Sequence, residues 1–454
     1  MTPPSPARRA AEHVLIVAVA VAGPLAYLFA SPLYSSGDEA AHVDYALQLW
    51  TGRLPVFEDG LVLSADVGTF PPVQWTAQHP PLLYLLLAPV VGPLASSGDA
   101  VAAGYAARIV IVALSVALAY AVRGLATALR PGDRRLGLLA VAVLALSQWF
   151  LRLGGSVYND VLAALVVVLA TTAFVRMVRG ARTWTTVAGF VVALALASLV
   201  RLASVPPAGL LAAALLVLAL VDRRPGRVRL VVAGAAGPLA MLAASGWFYA
   251  RNLALTGSIS GGHPEWAMAN LGRERTTLAE VVAAPDTWRQ LLGQFSPADG
   301  AWSLAADAVL FLAPVAIGAV VLAVGGPRAV RAPRAFAVAV ILAAGVGVLV
   351  MQLLYVGETG SPNGRYLFTV TATLAPLLAA GLLAPPRGRW LAAAWIVVEV
   401  VLVAALLHAA LSRTFSTPQA GIQPVAAWIA FAVLSAGALA IAGSTARSRR
   451  AVGA

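Results

Sequence analysis

Residues 157–178 read VYNDVLAALVVVLATTAFVRMV, and no charged side chain separates Asp160 from Arg176. A helix needs roughly 20 apolar residues in a row to cross the hydrocarbon core of a bilayer. The stretch therefore predicts a transmembrane helix that begins with a polar Tyr-Asn-Asp segment. Similar apolar runs occupy most of the chain, so the whole protein is predicted to be an integral membrane protein.

The composition excludes soluble and disordered classes of protein. Of the 454 residues, 60% are hydrophobic and 11% are charged, and the mean hydropathy is +0.85. So few charges cannot cover the surface of a water-soluble protein of this size, and disordered chains are far less apolar. The sequence has no cysteine, which excludes disulfides, thiol chemistry and zinc-thiolate or iron-sulfur centres.

The apolar runs predict an all-α polytopic membrane protein with about twelve transmembrane helices, organised as a single integral membrane domain over residues 1–454. The runs lie at 14–30, 101–122, 135–152, 157–178, 184–200, 202–221, 230–250, 304–324, 335–355, 366–384, 390–411 and 422–443. A further run, 80–94, is short and contains Pro89 and Pro93. We predict that it is re-entrant or juxtamembrane rather than spanning.

The charges predict the orientation. All 31 basic residues are arginine, the net charge is +12, and most arginines cluster in every second connection. Such clusters mark cytoplasmic loops rather than nucleic-acid binding, so both termini are predicted to be cytoplasmic and nucleic acid is excluded as a partner. Most carboxylates then face outward from the cytoplasmic membrane. Two outer loops are long, residues 31–100 and 251–303, and a functional site is expected on them.

The first outer loop contains SSGDEAAHVDYALQLW at 35–50. Apolar side chains recur with helical spacing at Val43, Ala46, Leu47 and Trp50. This spacing predicts an amphipathic helix that lies on the membrane surface.

The same helix brings polar side chains together. Asp38, His42 and Tyr45 fall on one narrow stripe of its surface. Ser36 and Glu39 fit a capping box, and the helix dipole alone would stabilise Asp38 in the first turn. Capping does not account for two adjacent acids and a histidine, so we predict that Asp38 belongs to a functional site. The Glu39-x-x-His42 spacing is also typical of carboxylate-histidine metal ligands, which leaves a divalent metal open as a cofactor.

Other polar residues are predicted to lie on the same side. His79 precedes two prolines that start a helix, and Asn159 and Asp160 begin the span at 157–178. An interfacial histidine and simple helix-end stabilisation are the alternative interpretations.

Three arginines, Arg201, Arg251 and Arg365, are predicted to lie on the outer side, whereas most arginines are predicted to be cytoplasmic. Tyr366 and other aromatic residues beside them fit an interfacial belt, which is one interpretation. A guanidinium also pairs well with phosphate. We therefore predict that at least one of the three contacts a lipid-linked phosphate.

The second outer loop contains a capping box, Thr277-x-x-Glu280. Trp288, Leu291, Leu292 and Phe295 follow with helical spacing. This pattern predicts a second interfacial helix that would roof a lateral groove for a lipid.

Together these segments resemble the class C glycosyltransferase superfamily, whose many-span members include protein O-mannosyltransferases and lipid A aminoarabinose transferases. The resemblance rests on Asp38-Glu39, HPPLLY at 79–84, Asn159-Asp160 and Gly364-Arg365-Tyr366. It is closest to a poorly characterised bacterial family with DExxH, HPP, YND and GRYLF segments in this order. Several relatives have lysine where this chain has His79.

The resemblance implies an inverting, polyprenyl-phosphate-sugar-dependent glycosyltransferase in which Asp38 is the general base and Glu39 is catalytic beside it. The implied partners are the lipid-linked donor, membrane lipid, and an envelope glycan, lipid or protein as acceptor. The residues expected to bind substrate are His42, His79, Asn159, Asp160, Arg201, Arg251, Arg365 and Tyr366.

Two other classes remain open from sequence. A transporter or flippase fits about twelve spans, although transporters place ionisable groups at the midplane between repeated halves. Only Glu399 is clearly buried in a span. An envelope polysaccharide polymerase or ligase would share the same lipid-phosphate chemistry.

Overall fold

The computed structural model describes residues 5–222, 224–296, 303–326, 328–414 and 423–447. Over these ranges the chain forms helices and no strand. The α-helices are α1 Pro6–Ala30, α2 Gly37–Trp50, α3 Leu82–Ser96, α4 Ala100–Leu129, α5 Arg134–Leu146, α6 Gln148–Gly154, α7 Asp160–Val178, α8 Trp184–Val200, α9 Val205–Val221, α10 Arg227–Thr256, α11 Pro264–Leu271, α12 Leu278–Ala283, α13 Pro285–Leu292, α14 Ser303–Asp307, α15 Ala313–Val324, α16 Arg328–Gly357, α17 Phe368–Leu383, α18 Gly388–Thr414 and α19 Gln423–Arg447.

The predicted all-α polytopic architecture is confirmed. Ten described helical segments are long and apolar enough to cross a membrane, and α5 with α6 would make eleven if the bent pair is one span. Two apolar helices, α3 and α8, are shorter than the others. The count of about twelve is therefore not established, and α3 keeps the 15-residue length that led us to predict a non-spanning segment.

The two ends of the bundle differ in character. Residues 31–99 and 257–296 lie at one end, called here the loop end. α1 begins at the opposite end, because Glu12 contacts Arg123 and Arg134 near the end of α4 and the start of α5. α19 begins at the loop end, where Gln423 bonds Tyr105, so it finishes at the opposite end as well.

One predicted span is broken. The run 135–152 forms α5 and α6, which meet at an angle of 68° around Ser147. The hydroxyl of Ser147 and the backbone N–H of Gln148 both donate to the carbonyl of Gln294. This segment of the second outer loop therefore replaces the helical hydrogen bonds that would have continued α5.

The predicted apolar face of α2 packs inside the protein, apart from Trp50. Every residue from Glu39 to Gln48 is buried, because the rest of the first loop folds over the helix. The carboxylate of Asp44 accepts backbone bonds from Val62 and Leu63, both at 2.7 Å, and a bond from Gln74. The loop is thus a compact cap, and burial raises the pKa of the Asp44 carboxyl.

The second loop also differs from its prediction. The capping box of Thr277 and Glu280 is present, but it starts a short helix, α12, and α13 begins separately at Pro285. Proline lacks the N–H that a continuous helix would need there. Phe295 lies beyond α13 and is buried against Trp395 in the bundle, so this residue is not part of the predicted helix.

Small residues allow the central helices to approach closely. A Cβ atom on Gly318 of α15 would collide with the carbonyl of Leu377 in α17, and one on Gly381 of α17 would collide with the carbonyl of Pro314. Close backbone contact of this kind stabilises helix pairs in membranes, where lipid and side chains are equally apolar.

Candidate functional site

An ion pair between the first outer loop and α17 forms the centre of the site. Asp38, in the first turn of α2, lies 2.7 Å from the guanidinium of Arg365. Arg365 belongs to the short 3-10 turn Gly364–Leu367 that leads into α17. The Asp38 side chain is 36% exposed, so it is more accessible than the other carboxylates that pair with arginines here.

Aromatic rings enclose Arg365. Its guanidinium carbon lies 5.0 Å from the ring centre of Tyr158 and 4.9 Å from that of Tyr366. One terminal nitrogen donates to the Tyr366 hydroxyl at 3.1 Å. The Nε–H is enclosed and has no hydrogen-bond partner in the described part of the chain. An anion on this side of the guanidinium would supply the missing acceptor.

A second ion pair lies beside the first. Arg201, at the end of α8, contacts the carboxylate of Asp160 at the start of α7. Its guanidinium carbon is 5.7 Å from the ring centre of Tyr366, so the two arginines share one tyrosine. The Nε of Arg201 is also buried without a partner among the described residues. Asn159 is buried and donates to the carbonyl of Val200 at 3.4 Å, which ties the start of α7 to the end of α8.

The predicted histidines lie next to this cationic pair. His42 stacks on His79 with ring centres 6.0 Å apart and bonds the hydroxyl of Tyr84 at 2.9 Å. Burial lowers the pKa of both imidazoles, and the charges of Arg201 and Arg365 lower it further. Both rings are therefore neutral near pH 7 and offer hydrogen bonds rather than charge. Tyr45 stacks on Tyr84 and donates to the carbonyl of His79.

Glu39 has a different environment from its neighbour Asp38. Both of its oxygens bind Arg108 at 2.7 Å, and they also accept the backbone N–H groups of Tyr34 and Val157. The residue is 2% exposed. A carboxylate so fully engaged is not free to accept a proton from substrate, so the geometry argues against the predicted catalytic role and favours a structural one.

Arg251 lies outside this group. Its guanidinium donates to the carbonyl of Pro55 at 2.6 Å and lies over the ring of Phe248. It joins α10 to the first loop and is not paired with Asp38 or Asp160 in the described structure.

Sequence reasoning passed over several residues that the fold brings to the site. Tyr158 stands between Arg365 and His42 and bonds Ser36 at 2.7 Å. Its position directly before Asn159-Asp160 in the sequence could have identified Tyr158 as a site residue. Arg152 lies 5.2 Å from the ring centre of Trp149, and its Nε is enclosed without a partner in the described ranges. It was missed because the run 135–152 was interpreted as one continuous span.

The second loop supports the turn that carries Arg365. The side-chain amide of Gln294 donates to the carbonyl of Gly364 at 2.9 Å and accepts from Thr371 at 2.8 Å. Asp307 in turn binds the backbone N–H groups of Gln294 and Phe295. These buried bonds place Arg365 through residues distant in sequence.

The carboxylates do not form a metal-ligand set. Asp38 and Asp160 each pair with an arginine, and Glu39 pairs with Arg108. Within the described residues no group of three histidine, aspartate or glutamate side chains converges as metal ligands would. The divalent metal left open by the sequence therefore has no evident ligand cage here.

An apolar groove lies between α7, α9, α16 and α17. Thr369 in its wall is one helical turn beyond Arg365, and Pro207 lies near the start of α9, six residues beyond Arg201. Most of the other lining residues are aliphatic, among them Val167, Ile341 and Val348. The groove therefore reaches helix positions close in sequence to both arginines.

Two structures of ArnT from Cupriavidus metallidurans have the same helical arrangement. The form bound to undecaprenyl phosphate is 16% identical, with a TM-score of 0.53, and the apo form is 13% identical, with a TM-score of 0.54. Each match covers 97% of this chain and 78% of ArnT. The chain has the ArnT fold. The class C glycosyltransferase fold that the sequence motifs predicted is thereby confirmed.

The apo oligosaccharyltransferase of Archaeoglobus fulgidus is 15% identical, with a TM-score of 0.49, and the match covers 94% of this chain but 56% of that protein. No protein-family model and no curated protein matches the sequence.

Proposed function

We propose that the protein transfers a sugar from a polyprenyl-phosphate-linked donor to a cell-envelope acceptor on the extracytoplasmic face, with Asp38 as the general base. The observation that carries the proposal is the partly exposed side chain of Asp38 beside Arg365, whose enclosed Nε–H lacks an acceptor among the described residues. A base and an anion-binding guanidinium are the two groups that such a transfer needs.

The two arginines suit the donor phosphate. Arg201 and Arg365 flank Tyr366, and each has a buried Nε–H without a partner among the described residues. A phosphate that binds Arg365 competes with Asp38 for the guanidinium. The carboxylate is then free to face the acceptor.

The groove between α7, α9, α16 and α17 suits the lipid part of the donor. Its walls are mainly aliphatic, and one lining residue, Thr369, lies one helical turn beyond Arg365. An isoprenoid chain in this groove would leave its phosphate at the arginines. ArnT, which has the same fold, has been crystallised with undecaprenyl phosphate.

The reaction is a displacement at the anomeric carbon. Asp38 accepts the proton of the acceptor hydroxyl while the hydroxyl oxygen bonds to that carbon. The bond from the anomeric carbon to the phosphate oxygen breaks, and its electron pair leaves with polyprenyl phosphate. Arg201 and Arg365 stabilise the departing charge, and attack opposite the leaving group inverts the sugar. The neutral His42 and His79 lie next to the two arginines, which supports a role for them in bonding sugar hydroxyls.

Binding of undecaprenyl phosphate to the purified protein tests the anion site. Arg365→Ala should weaken binding about 10- to 100-fold, the value of a lost charged hydrogen bond. Arg365→Lys should restore only part of it. Arg289→Ala is the control, because Arg289 lies in the second loop and pairs with the exposed Asp286. Equal affinity of the Arg365→Ala and wild-type proteins would contradict the proposal.

Lipid transport is the second candidate, and one observation favours it. Glu399 is fully buried in α18, and neither of its carboxyl oxygens has a hydrogen-bond partner among the described residues. Buried acids in membrane spans often serve transport. Sugar transfer in detergent, where no membrane separates two compartments, would distinguish an enzyme from a transporter.

A further inference from the structure

Four rings from the two long loops come together at the loop end. Phe57 of the first loop stacks on His263 of the second, with ring centres 3.6 Å apart and an angle of 11° between the ring planes. The indole of Trp266 makes T-shaped contacts with Phe57 at 5.6 Å and with Trp75 at 5.2 Å. These four residues, called here the aromatic platform, form one connected cluster to which both loops contribute.

The rest of the protein covers the platform only in part. Every residue of α11, the helix that carries Trp266, is exposed or half-buried, and the side chain of His263 is 21% exposed. Glu58 lies 3.7 Å from His263 and is 67% exposed. Tryptophans often lie at a membrane interface, but an exposed carboxylate avoids the hydrocarbon of a bilayer. This side of the platform therefore faces water and is available to a ligand.

The platform lies beside the Asp38 site. Trp75 begins the 3-10 helix Trp75–Gln78, and His79 follows this helix directly. The ring of His79 stacks on that of His42 at 6.0 Å, and His42 is one helical turn beyond Asp38 in α2. A ligand that rests on the platform and extends along the first loop would therefore reach the proposed base.

The second loop is fixed to the same 3-10 helix. The side-chain amide of Asn252 donates to the carbonyl of Gln78 at 3.1 Å and to the carbonyl of Ile259 at 3.4 Å. Gly261 packs closely against both side chains, since an added Cβ would lie 2.8 Å from the Asn252 amide nitrogen and 3.0 Å from the Cβ of Gln78. These contacts hold His263, two residues later, against the first loop. The platform is thus organised without a ligand, which lowers the cost of binding one.

The chemistry of the platform favours a sugar. A sugar ring has carbon-bound hydrogens that pack on an aromatic face, and it has hydroxyl groups around its edge. Glu58 and His263 offer a carboxylate and an imidazole for such hydroxyls. The indole N–H of Trp75 is enclosed and has no acceptor among the described residues, although a buried indole usually has one. The exposed carboxylate of Glu58 would repel a phosphate, so an uncharged glycan suits the platform better than an anionic lipid headgroup.

We propose that the aromatic platform binds the acceptor, and that the acceptor is a glycan of the cell envelope. Sugar rings of the glycan stack on Trp266 and Trp75. Glu58 and His263 bond the hydroxyls of these rings, and the end of the glycan lies at Asp38. The assignment of the glycan as acceptor rests on the proposed function, whereas the binding of sugar at the platform does not.

Binding of the labelled full chain in detergent to an array of bacterial envelope oligosaccharides tests the proposal. The wild type should bind oligosaccharides on the array. Trp266→Ala should bind them about tenfold more weakly, because it lacks the stacking ring, and Trp266→Phe should retain most of the affinity. Trp184→Ala is the control, because Trp184 is an exposed tryptophan at the far end of α8 from Arg201.

Undecaprenyl phosphate binding by the same proteins separates this proposal from the proposed function, and it should be equal in Trp266→Ala and wild type. The platform proposal is wrong if Trp266→Ala binds oligosaccharides as well as the wild type does. It is also wrong if the wild type binds none of them, or binds envelope peptides or lipid vesicles in their place. A wild type that binds oligosaccharides but not undecaprenyl phosphate would contradict the proposed function and leave the sugar-binding platform in place.

Discussion

Asp38 and Glu39 are adjacent in sequence, yet their surroundings assign them different tasks. The Asp38 side chain is partly exposed and pairs with one guanidinium, whereas Glu39 is enclosed by Arg108 and two backbone N–H groups. A general base must reach its substrate, so accessibility decides between two chemically equivalent carboxylates.

Replacement of Asp38 by asparagine should abolish sugar transfer and leave the protein folded. The amide keeps the shape of the side chain but does not accept the acceptor's proton, and loss of a general base costs about 10² to 10⁴ in rate. Transfer of labelled sugar from polyprenyl phosphate and a melting curve measure the two effects. Asp59→Asn, an exposed acid of the same loop, is the control. Normal turnover by a stable Asp38→Asn protein would exclude the proposed base.

His42 predicts a pH dependence of stability. Its pKa in the folded protein lies well below the ordinary 6.5, so at mildly acidic pH the unfolded chain binds a proton that the folded protein does not. The stability due to the neutral ring is present above pH 6.5 and is lost as the pH falls, by up to about 1.4 kcal/mol per pH unit. Melting curves from pH 7.5 to 5 should show a shallower decline for His42→Gln than for wild type. Identical slopes would show that His42 titrates normally.

At the scale of elements, the Glu39–Arg108 pair joins the start of α2 to α4. Both side chains are almost completely buried. Glu39→Gln would leave the Arg108 charge unpaired in the interior, which costs about 3 to 5 kcal/mol. We expect a large loss in thermal stability with little folded protein, in contrast to Asp38→Asn. A Glu39→Gln protein that melts like wild type and lacks activity would instead support the catalytic role predicted from sequence.

The turn before α17 predicts a second element-scale effect. A Cβ on Gly364 would collide with the indole nitrogen of Trp149 and crowd the carbonyl of Gln290. Gly364→Ala should therefore displace Arg365 and lower the rate of transfer more than tenfold, since small misplacements of binding groups cost about 10²-fold. The control is Gly347→Ala in α16, where an added Cβ would meet no atom within 4 Å. Equal activity of the two variants would contradict the role of this turn.

At the scale of the whole molecule, the arginine clusters predict the orientation in the membrane. The start of α1 and the end of α19 both lie at the end of the bundle opposite the Asp38 site. Reporter fusions at residues 225 and 451 should both indicate the cytoplasm, because arginine-rich connections stay on that side. An extracytoplasmic signal at either position would reverse the proposed location of the site.

Sequence by itself determined the class of the protein. An apolar run as long as 157–178 is stable in a bilayer as a transmembrane helix, because a helix satisfies every backbone hydrogen bond internally. Local patterns also predicted the start of α2, the capping box at Thr277 and the helix start at Asp160, because these depend on residues within one or two turns.

Only the tertiary structure decided which polar residues meet. The pairing of Asp38 with Arg365, the occupation of Glu39 by Arg108, and the support of the Gly364 turn by Gln294 join positions 327, 69 and 70 residues apart. The break at Ser147 depends on the same kind of contact, because carbonyl groups from a distant loop replace those of the helix. Periodicity records which face of a helix is apolar, but not the partner that the fold places against it.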